Sequence, residues 1–305
     1  FNSWLEQGLR RSASEGLMVM ASSSATTGAA PAGNPPPILV PSKVEEAVEA
    51  LTGPGGDAII ELILNGKRLG EKGAENLSQE IAKHSTLRKL TLTANRINNT
   101  DAEWIFTALQ WNASLAEVDL SVNQITHKAS PKIKLALMKN STLTKVMLNS
   151  NGLGVEGAAI LANGLQHNLM LKTLGLDYNS IADEGAKHLA AALEVNSTLI
   201  ALSLRGNDIK VSGAQQLAAA LAKNHSLHSL DLSTNEFGDE GAEALLKALE
   251  GNFAMLELGL FSCEAGFPML GKVDDILERN KKAMSRSSGL LGRLSSVMAC
   301  CTSRQ

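Results

Sequence analysis

Asparagine stands at positions 95, 123, 151, 179, 207 and 235, each 28 residues after the last. No other feature limits the fold so strongly. A chain that repeats one short unit must build its core by stacking that unit. The same register reaches Lys67 on one side and Cys263 on the other. Counted from each of these eight marked positions, four columns are aliphatic throughout. Five residues before the mark the column runs from Leu62 and Leu90 to Leu258, and three before it is always Leu, from Leu64 to Leu260. Ten after it runs from Leu77 and Ile105 to Val273, and fourteen after from Ile81 and Leu109 to Leu277.

The pair at −5 and −3 has period two, so both side chains face one side of a short strand. The pair at +10 and +14 is spaced i, i+4, one stripe of a helix. Strands are therefore predicted to begin near residues 61, 89, 117, 145, 173, 201, 229 and 257, each followed by a helix. Gly73, Gly157, Gly185, Gly213 and Gly241 lie between strand and helix, where a tight bend is expected. A second asparagine column, from Asn112 and Asn140 to Asn280, is expected to close each helix in the left-handed conformation. The marked residues Asn95, Asn123, Asn151, Asn179, Asn207 and Asn235 leave the strand with two donors and an acceptor on each amide. They are expected to form a ladder satisfying buried backbone groups, with Cys263 as a scaffold thiol in the last register. One unit cannot bury its own apolar face, so the units stack into a parallel-stranded α/β solenoid.

The segments "LKTLGLDYNSIADEGAKHLAAALEVNSTL" and "LHSLDLSTNEFGDEGAEALLKALEGN" resemble the leucine-rich repeat family of the 28-residue ribonuclease-inhibitor type. The resemblance covers roughly residues 57–282. It implies a horseshoe with parallel strands concave and helices convex, and a cytoplasmic, non-enzymatic scaffold that binds a protein partner. It also raises an alternative, GTPase activation resembling the Ran GTPase-activating proteins, which use an arginine in an early post-strand loop. Arg68 and Arg96, each one residue past a marked position, are the candidates. The tail is basic where that family is acidic.

Residues 1–41 read as a disordered arm, small and Pro-rich in "ASSSATTGAAPAGNPPP", with Met20 as a candidate natural start. Residues 42–56 read as a capping helix opened by a Ser42–Glu45 box, and 57–282 as the solenoid of about eight repeats. Residues 283–305 contain Arg286, Arg293 and Arg304 and no acid, with Leu290, Leu291, Leu294, Val297 and Met298 available for an apolar stripe. The two readings of this tail are a membrane-surface or partner-binding helix with Cys300 and Cys301 as acylation sites, and a disordered tail with incidental thiols.

Net charge −3 over 305 residues lacks the basic excess of a nucleic-acid binder. Three cysteines make no disulfide framework, which fits a reducing compartment. No apolar run approaches the roughly 20 residues of a membrane span. The six histidines show no metal-ligand spacing, and neither a phosphate loop nor a nucleophile elbow appears, so no cofactor or metal is expected.

Function is sought where exposed columns depart from the repeat. On the sheet face, Asp177, Tyr178, Arg205, Asp231 and Phe261 combine charge with aromatic and Arg groups of the kind that anchor interfaces. The alternative is a solvated face with Asp177 and Arg205 paired across strands. On the helix side, Trp104 and Trp111 stand i, i+7 in columns that are mostly polar elsewhere. Lys132 and Lys139 lie beside them in a stretch, residues 120–155, with five lysines and no carboxylate side chain after Leu120 until Glu156. The Trp pair marks either a contact site for an acidic partner or a surface that packs under the N-terminal arm.

Overall fold

The computed structural model describes residues 38–301, and the side chains of residues 38–285. The first elements are β1 (Ile38–Leu39), α1 (Val44–Thr52), β2 (Glu61–Ile63), α2 (Gly70–Lys83), β3 (Lys89–Thr91) and α3 (Asn99–Leu109). The middle of the chain gives β4 (Glu117–Asp119), α4 (Ser130–Lys139), β5 (Lys145–Met147), α5 (Gly154–His167), β6 (Thr173–Gly175) and α6 (Ala182–Leu193). The last are β7 (Ala201–Ser203), α7 (Val211–Leu221), β8 (Ser229–Asp231), α8 (Gly238–Gly251), β9 (Glu257–Gly259) and α9 (Phe267–Cys301). All nine strands form one parallel sheet in sequence order. From β2 onward each residue pairs with the one 28 positions later, as Leu90 with Val118 and Leu174 with Leu202.

The repeat register holds throughout. Of the residues at −5, −3, +10 and +14, only Leu258 is not fully buried. It lies on the edge strand β9, which has no following strand to cover it. The core is the single aliphatic layer between sheet and helices.

Three local expectations change. The glycines at 73, 157, 185, 213 and 241 lie inside helices rather than in bends. A Cβ at Gly185 would sit 2.5 Å from Ile181 Cγ2 and 3.1 Å from Ala158 Cβ. These positions are small because neighbouring packing leaves no room, not because the chain turns. The left-handed residues instead flank the marked positions: Ala94, Val122, Ser150, Tyr178 and Thr234 just before, and Arg68, Arg96, Ser180 and Asp208 just after. The helix-closing asparagines are extended, as at Asn140 and Asn168, not left-handed. They form a second ladder: Asn196 Nδ2 donates to the carbonyls of Leu165 and Asn168 one repeat back, and its Oδ1 accepts from the Thr198 and Leu199 amides. Finally, Ser42 bonds Glu46 rather than Glu45, through its amide and hydroxyl together.

The ends also differ from their expected boundaries. Ile38 and Leu39, assigned to the 1–41 arm, form β1 and pair with Glu61 and Leu62. The remainder of that arm, residues 1–37, lies outside the described residues. In α1, Val44, Ala47 and Leu51 are buried against the first repeat. At the other end α9 is continuous across residue 282, so the helix takes in most of the segment set apart as a tail. The side chains of Cys300 and Cys301, and with them the acylation reading, lie outside the described residues.

The close packing at Gly185 gives a direct expectation. Gly185→Val should lower stability by about 1–3 kcal/mol, because overpacking forces its neighbours off their positions. Gly251→Val should cost less, since nothing stands within 4 Å of a Cβ there. Urea melts of the two variants, compared by midpoint, check this.

Candidate functional site

Both asparagine ladders are structural in geometry. In the first, Asn207 Nδ2 donates to the Leu176 and Arg205 carbonyls at 2.9 and 3.3 Å. Its Oδ1 accepts from the amides of Asn179 at 2.8 Å and Ile181 at 3.4 Å. Asn95, Asn179, Asn207 and Asn235 are buried, while Asn123 and Asn151 are half-buried. Cys263 ends the series as a free, buried thiol. Burial is the largest effect on it and raises its pKa, so the thiol stays protonated.

The sheet-face residues lie on or just past neighbouring strands, and two of them serve the sheet. In most repeats the amide two residues before the mark is satisfied by a side chain. Asp177 Oδ1 accepts from the Arg205 amide at 3.0 Å and from the Ser203 hydroxyl. Asp231 Oδ1 accepts from the Ser233 amide at 2.9 Å, and Asn65 and Asn149 do the same for Thr93 and Asp177. Asp177 therefore bonds the backbone of Arg205, and among the described residues their side chains form no ion pair. Arg205 Nε is buried without a hydrogen-bond partner. Tyr178 lies over Gly206, and both Tyr178 and Phe261 are exposed.

Burial pushes the Asp177 carboxyl above its ordinary value of 3.8, opposed by the bonds from Ser203 and Arg205 and reinforced by Asp231. The sign follows from which state holds the proton. Above pH 3.8 the unfolded carboxyl is ionised, while the folded one keeps its proton to a higher pH. Stability contributed by this group therefore falls as pH rises through that window. Asp177→Asn should flatten the slope and leave stability at pH 7 equal or higher. Thermal melts of both proteins between about pH 3.5 and 7 check it; a steeper slope in the variant would contradict the assignment.

The first strands of the sheet face carry a regular alternation of charge. The column six residues before each mark begins Glu61, Lys89, Glu117, Lys145, and these residues pair in register. Lys89 Nζ lies 2.7 Å from Glu61, and Lys145 Nζ lies 4.0 Å from Glu117. The Lys89 pKa is raised first by its bond to Glu61, with further support from Glu117 and Asp119. With Asp119 and Met147 these residues line a shallow cleft of about 290 Å³. Alternating charges at 28-residue spacing are visible in the sequence once this column is written out.

On the helix side, Trp111 stands two residues past α3, at 69% exposure, and Trp104 within α3 at 39%. Lys139 Nζ lies 5.3 Å from the centre of the Trp111 ring, a cation–π pair across neighbouring repeats. Lys132 is half-buried. Sequence reasoning missed Leu135 and Met138, both exposed on α4. Their columns were passed over because an isolated exposed aliphatic is ordinary. Here they lie on the helix next to the two tryptophans. Arg68 and Arg96 are exposed, each with a positive φ, in successive post-strand loops.

Among the described residues no group of three His, Cys, Asp or Glu is placed to hold a metal ion. None of the described helices is long and apolar enough to cross a membrane.

A family model described as Leucine Rich repeat matches residues 139–162, 167–190, 195–218 and 223–246. A search of curated proteins gives no match. Among solved structures, the leiomodin-1 actin-binding site 2 is 23% identical with a TM-score of 0.44, over 49% of this chain and 88% of that one. The Caenorhabditis elegans tropomodulin C-terminal domain is 13% identical with a TM-score of 0.26, over 81% of this chain and 98% of that one.

Proposed function

From the premise that this chain is a leucine-rich repeat protein, we propose that it is a non-enzymatic scaffold that binds a protein partner on its helix side. The observation that carries the reading is the pairing of exposed Trp104 and Trp111 with exposed Leu135 and Met138 on the adjacent helix. Large apolar side chains grouped on a face that is polar in other repeats mark an interaction surface. Lys139 beside Trp111, and Lys132 nearby in α4, favour an acidic partner with an apolar anchor. A preformed repeat surface binds without much ordering cost. The sheet-face group of Asp177, Tyr178, Arg205, Asp231 and Phe261 is the second candidate. It ranks lower because Asp177 and Asp231 already terminate strands. The cytoplasm remains the proposed compartment, on the free thiol of Cys263.

Co-purification of the tagged chain from its native source names the partner. Trp104→Ala with Trp111→Ala should then weaken that complex by about tenfold or more, while the variant stays folded at the assay temperature. Added salt should slow association through the lysines and leave the Trp contribution in place. Undiminished affinity in the double variant would move the site to the sheet face. The GTPase-activating alternative rests on Arg68 and Arg96, and a single-turnover GTPase assay with Ran, with and without Arg96→Ala, separates it.

A further inference from the structure

The helices of this fold all run the same way, so their C-terminal ends share one edge of the molecule. Three repeat columns line that edge, at +16, +18 and +21 from the marked positions. Across all eight registers these columns contain no Asp or Glu. They do contain Lys83, Lys139, Lys172, Lys223 and Arg279. The opposite edge carries Asp183, Glu184, Asp208, Asp239 and Glu240 at or near helix starts. This polarity alone has a structural cause, since the helix macrodipole favours acids at N-termini and cations at C-termini.

The apolar residues on the cationic edge have no such cause. Trp111, Leu169, Val195 and Phe253 are 69%, 72%, 64% and 59% exposed, among the most exposed large hydrophobics of the described residues. Two of them carry a cation over the ring: Lys139 on Trp111, and Arg279 on Phe253 at 4.3 Å. Of the acids near these helix ends, Glu80, Glu194 and Glu278 are paired with Lys83, Lys223 and Lys281, while Glu250 forms no ion pair among the described residues. Each apolar side chain stands on a separate helix-to-strand loop, so the four make no common pocket. A folded partner would need several separate matched cavities, whereas a fluid interface accepts separated side chains at once. The last helix also leaves from this edge. The other helices stop at or before the Asn column, but α9 continues from Asn280 to Cys301, about 30 Å at helical rise. That stretch carries Arg286 and Arg293 and no acid.

We propose that this edge docks on an anionic lipid surface, with Trp111, Leu169, Val195 and Phe253 entering the interfacial layer and the lysines facing the headgroups, while Arg279 holds the end of α8 through the Leu249, Glu250 and Asn252 carbonyls. The proposal stands apart from the protein partner above, sharing only Trp111 and Lys139 with it. The test leaves those two residues intact. The full chain is floated with phosphatidylcholine vesicles, with or without about 30% phosphatidylserine. Binding is expected only with the anionic lipid, and less of it at high salt. Leu169→Ala with Val195→Ala and Phe253→Ala should reduce the bound fraction about tenfold, as should Lys83→Glu with Lys172→Glu. Lys128→Glu with Lys210→Glu, on the opposite edge, should leave it unchanged. Thermal melts confirm that each variant is folded; for any that is not, the single variants Leu169→Ala and Lys172→Glu replace it. Equal binding by the edge variants and the unaltered chain would assign the membrane contact to the end of α9 and overturn the proposal. Absence of binding to either vesicle would also overturn it. So would edge-dependent binding to polyglutamate with none to lipid, which would make the occupant an acidic protein.

Discussion

Asn207→Ala should lower the stability of the solenoid by about 3 kcal/mol. The side chain satisfies two carbonyls and two amides, on Leu176, Arg205, Asn179 and Ile181. Alanine leaves the Asn179 and Ile181 amides without partners, while the Leu176 carbonyl keeps its bond from Asn179 Nδ2 and the Arg205 carbonyl its bond from the Tyr178 amide. Each orphaned amide costs about 1–3 kcal/mol before relaxation. Relaxation is limited because the groups belong to two successive repeats held in register by the sheet. Part of the expected loss is recovered where a longer bond, such as that from Ile181 at 3.4 Å, contributed little. Asn163→Ala, at an exposed position inside α5, is the control and should cost nothing. Because repeats are stabilised through their neighbours, the Asn207 variant should also melt over a wider range. Chemical denaturation followed by circular dichroism checks both expectations, and coincident curves for Asn207→Ala and Asn163→Ala would remove the ladder from the account.

The architecture was legible because the same burial constraint acts at every repeat. A column such as Leu64 to Leu260 reports one physical environment eight times, and strands begin where that column places them. Features set by contact between repeats were harder to read. The glycine column marks close packing, but a glycine between a strand and a helix looks the same whether it bends the chain or makes room. The second asparagine ladder was seen as a column and given the wrong conformation. An isolated helix end offers no hint that Asn196 reaches carbonyls 28 and 31 residues back. Strand β1 was hidden for a different reason. Two residues, Ile38 and Leu39, are too few to show a period, and they follow a Pro-rich run.

The candidate site divides along similar lines. Exposure of Trp104 and Trp111 was foreseen because their columns are mostly polar in other repeats, and both are exposed. Asp177 and Asp231 were singled out for charge, yet their oxygens complete the strand ends. Charge in a list does not reveal which backbone amide it faces. The cationic edge needed both kinds of information. Its columns are visible in the sequence, but only the common direction of the helices puts them on one side.

Helix α3 shows how sharply the roles of similar residues can diverge. Phe106 lies two residues from Trp104, and the two differ completely in burial, 0% against 39% exposure. In the same column other repeats place Ser78, Ala162, Ala190 and Ala218. Phe106 therefore fills a volume specific to this repeat. Phe106→Ala should cost about 3–5 kcal/mol, the usual range for emptying an aromatic site in a core. Trp104→Ala should cost about 1 kcal/mol or less, because much of its surface already meets water. In a binding assay performed well below the melting temperature, the ranking should reverse. Loss of Trp104 weakens the partner complex, and loss of Phe106 acts only through the folded fraction. Paired measurements of melting and affinity on the two variants test this division directly. If Trp104→Ala proved as destabilising as Phe106→Ala, the helix-side aromatics would belong to the core, and the proposed binding surface would lose its anchor.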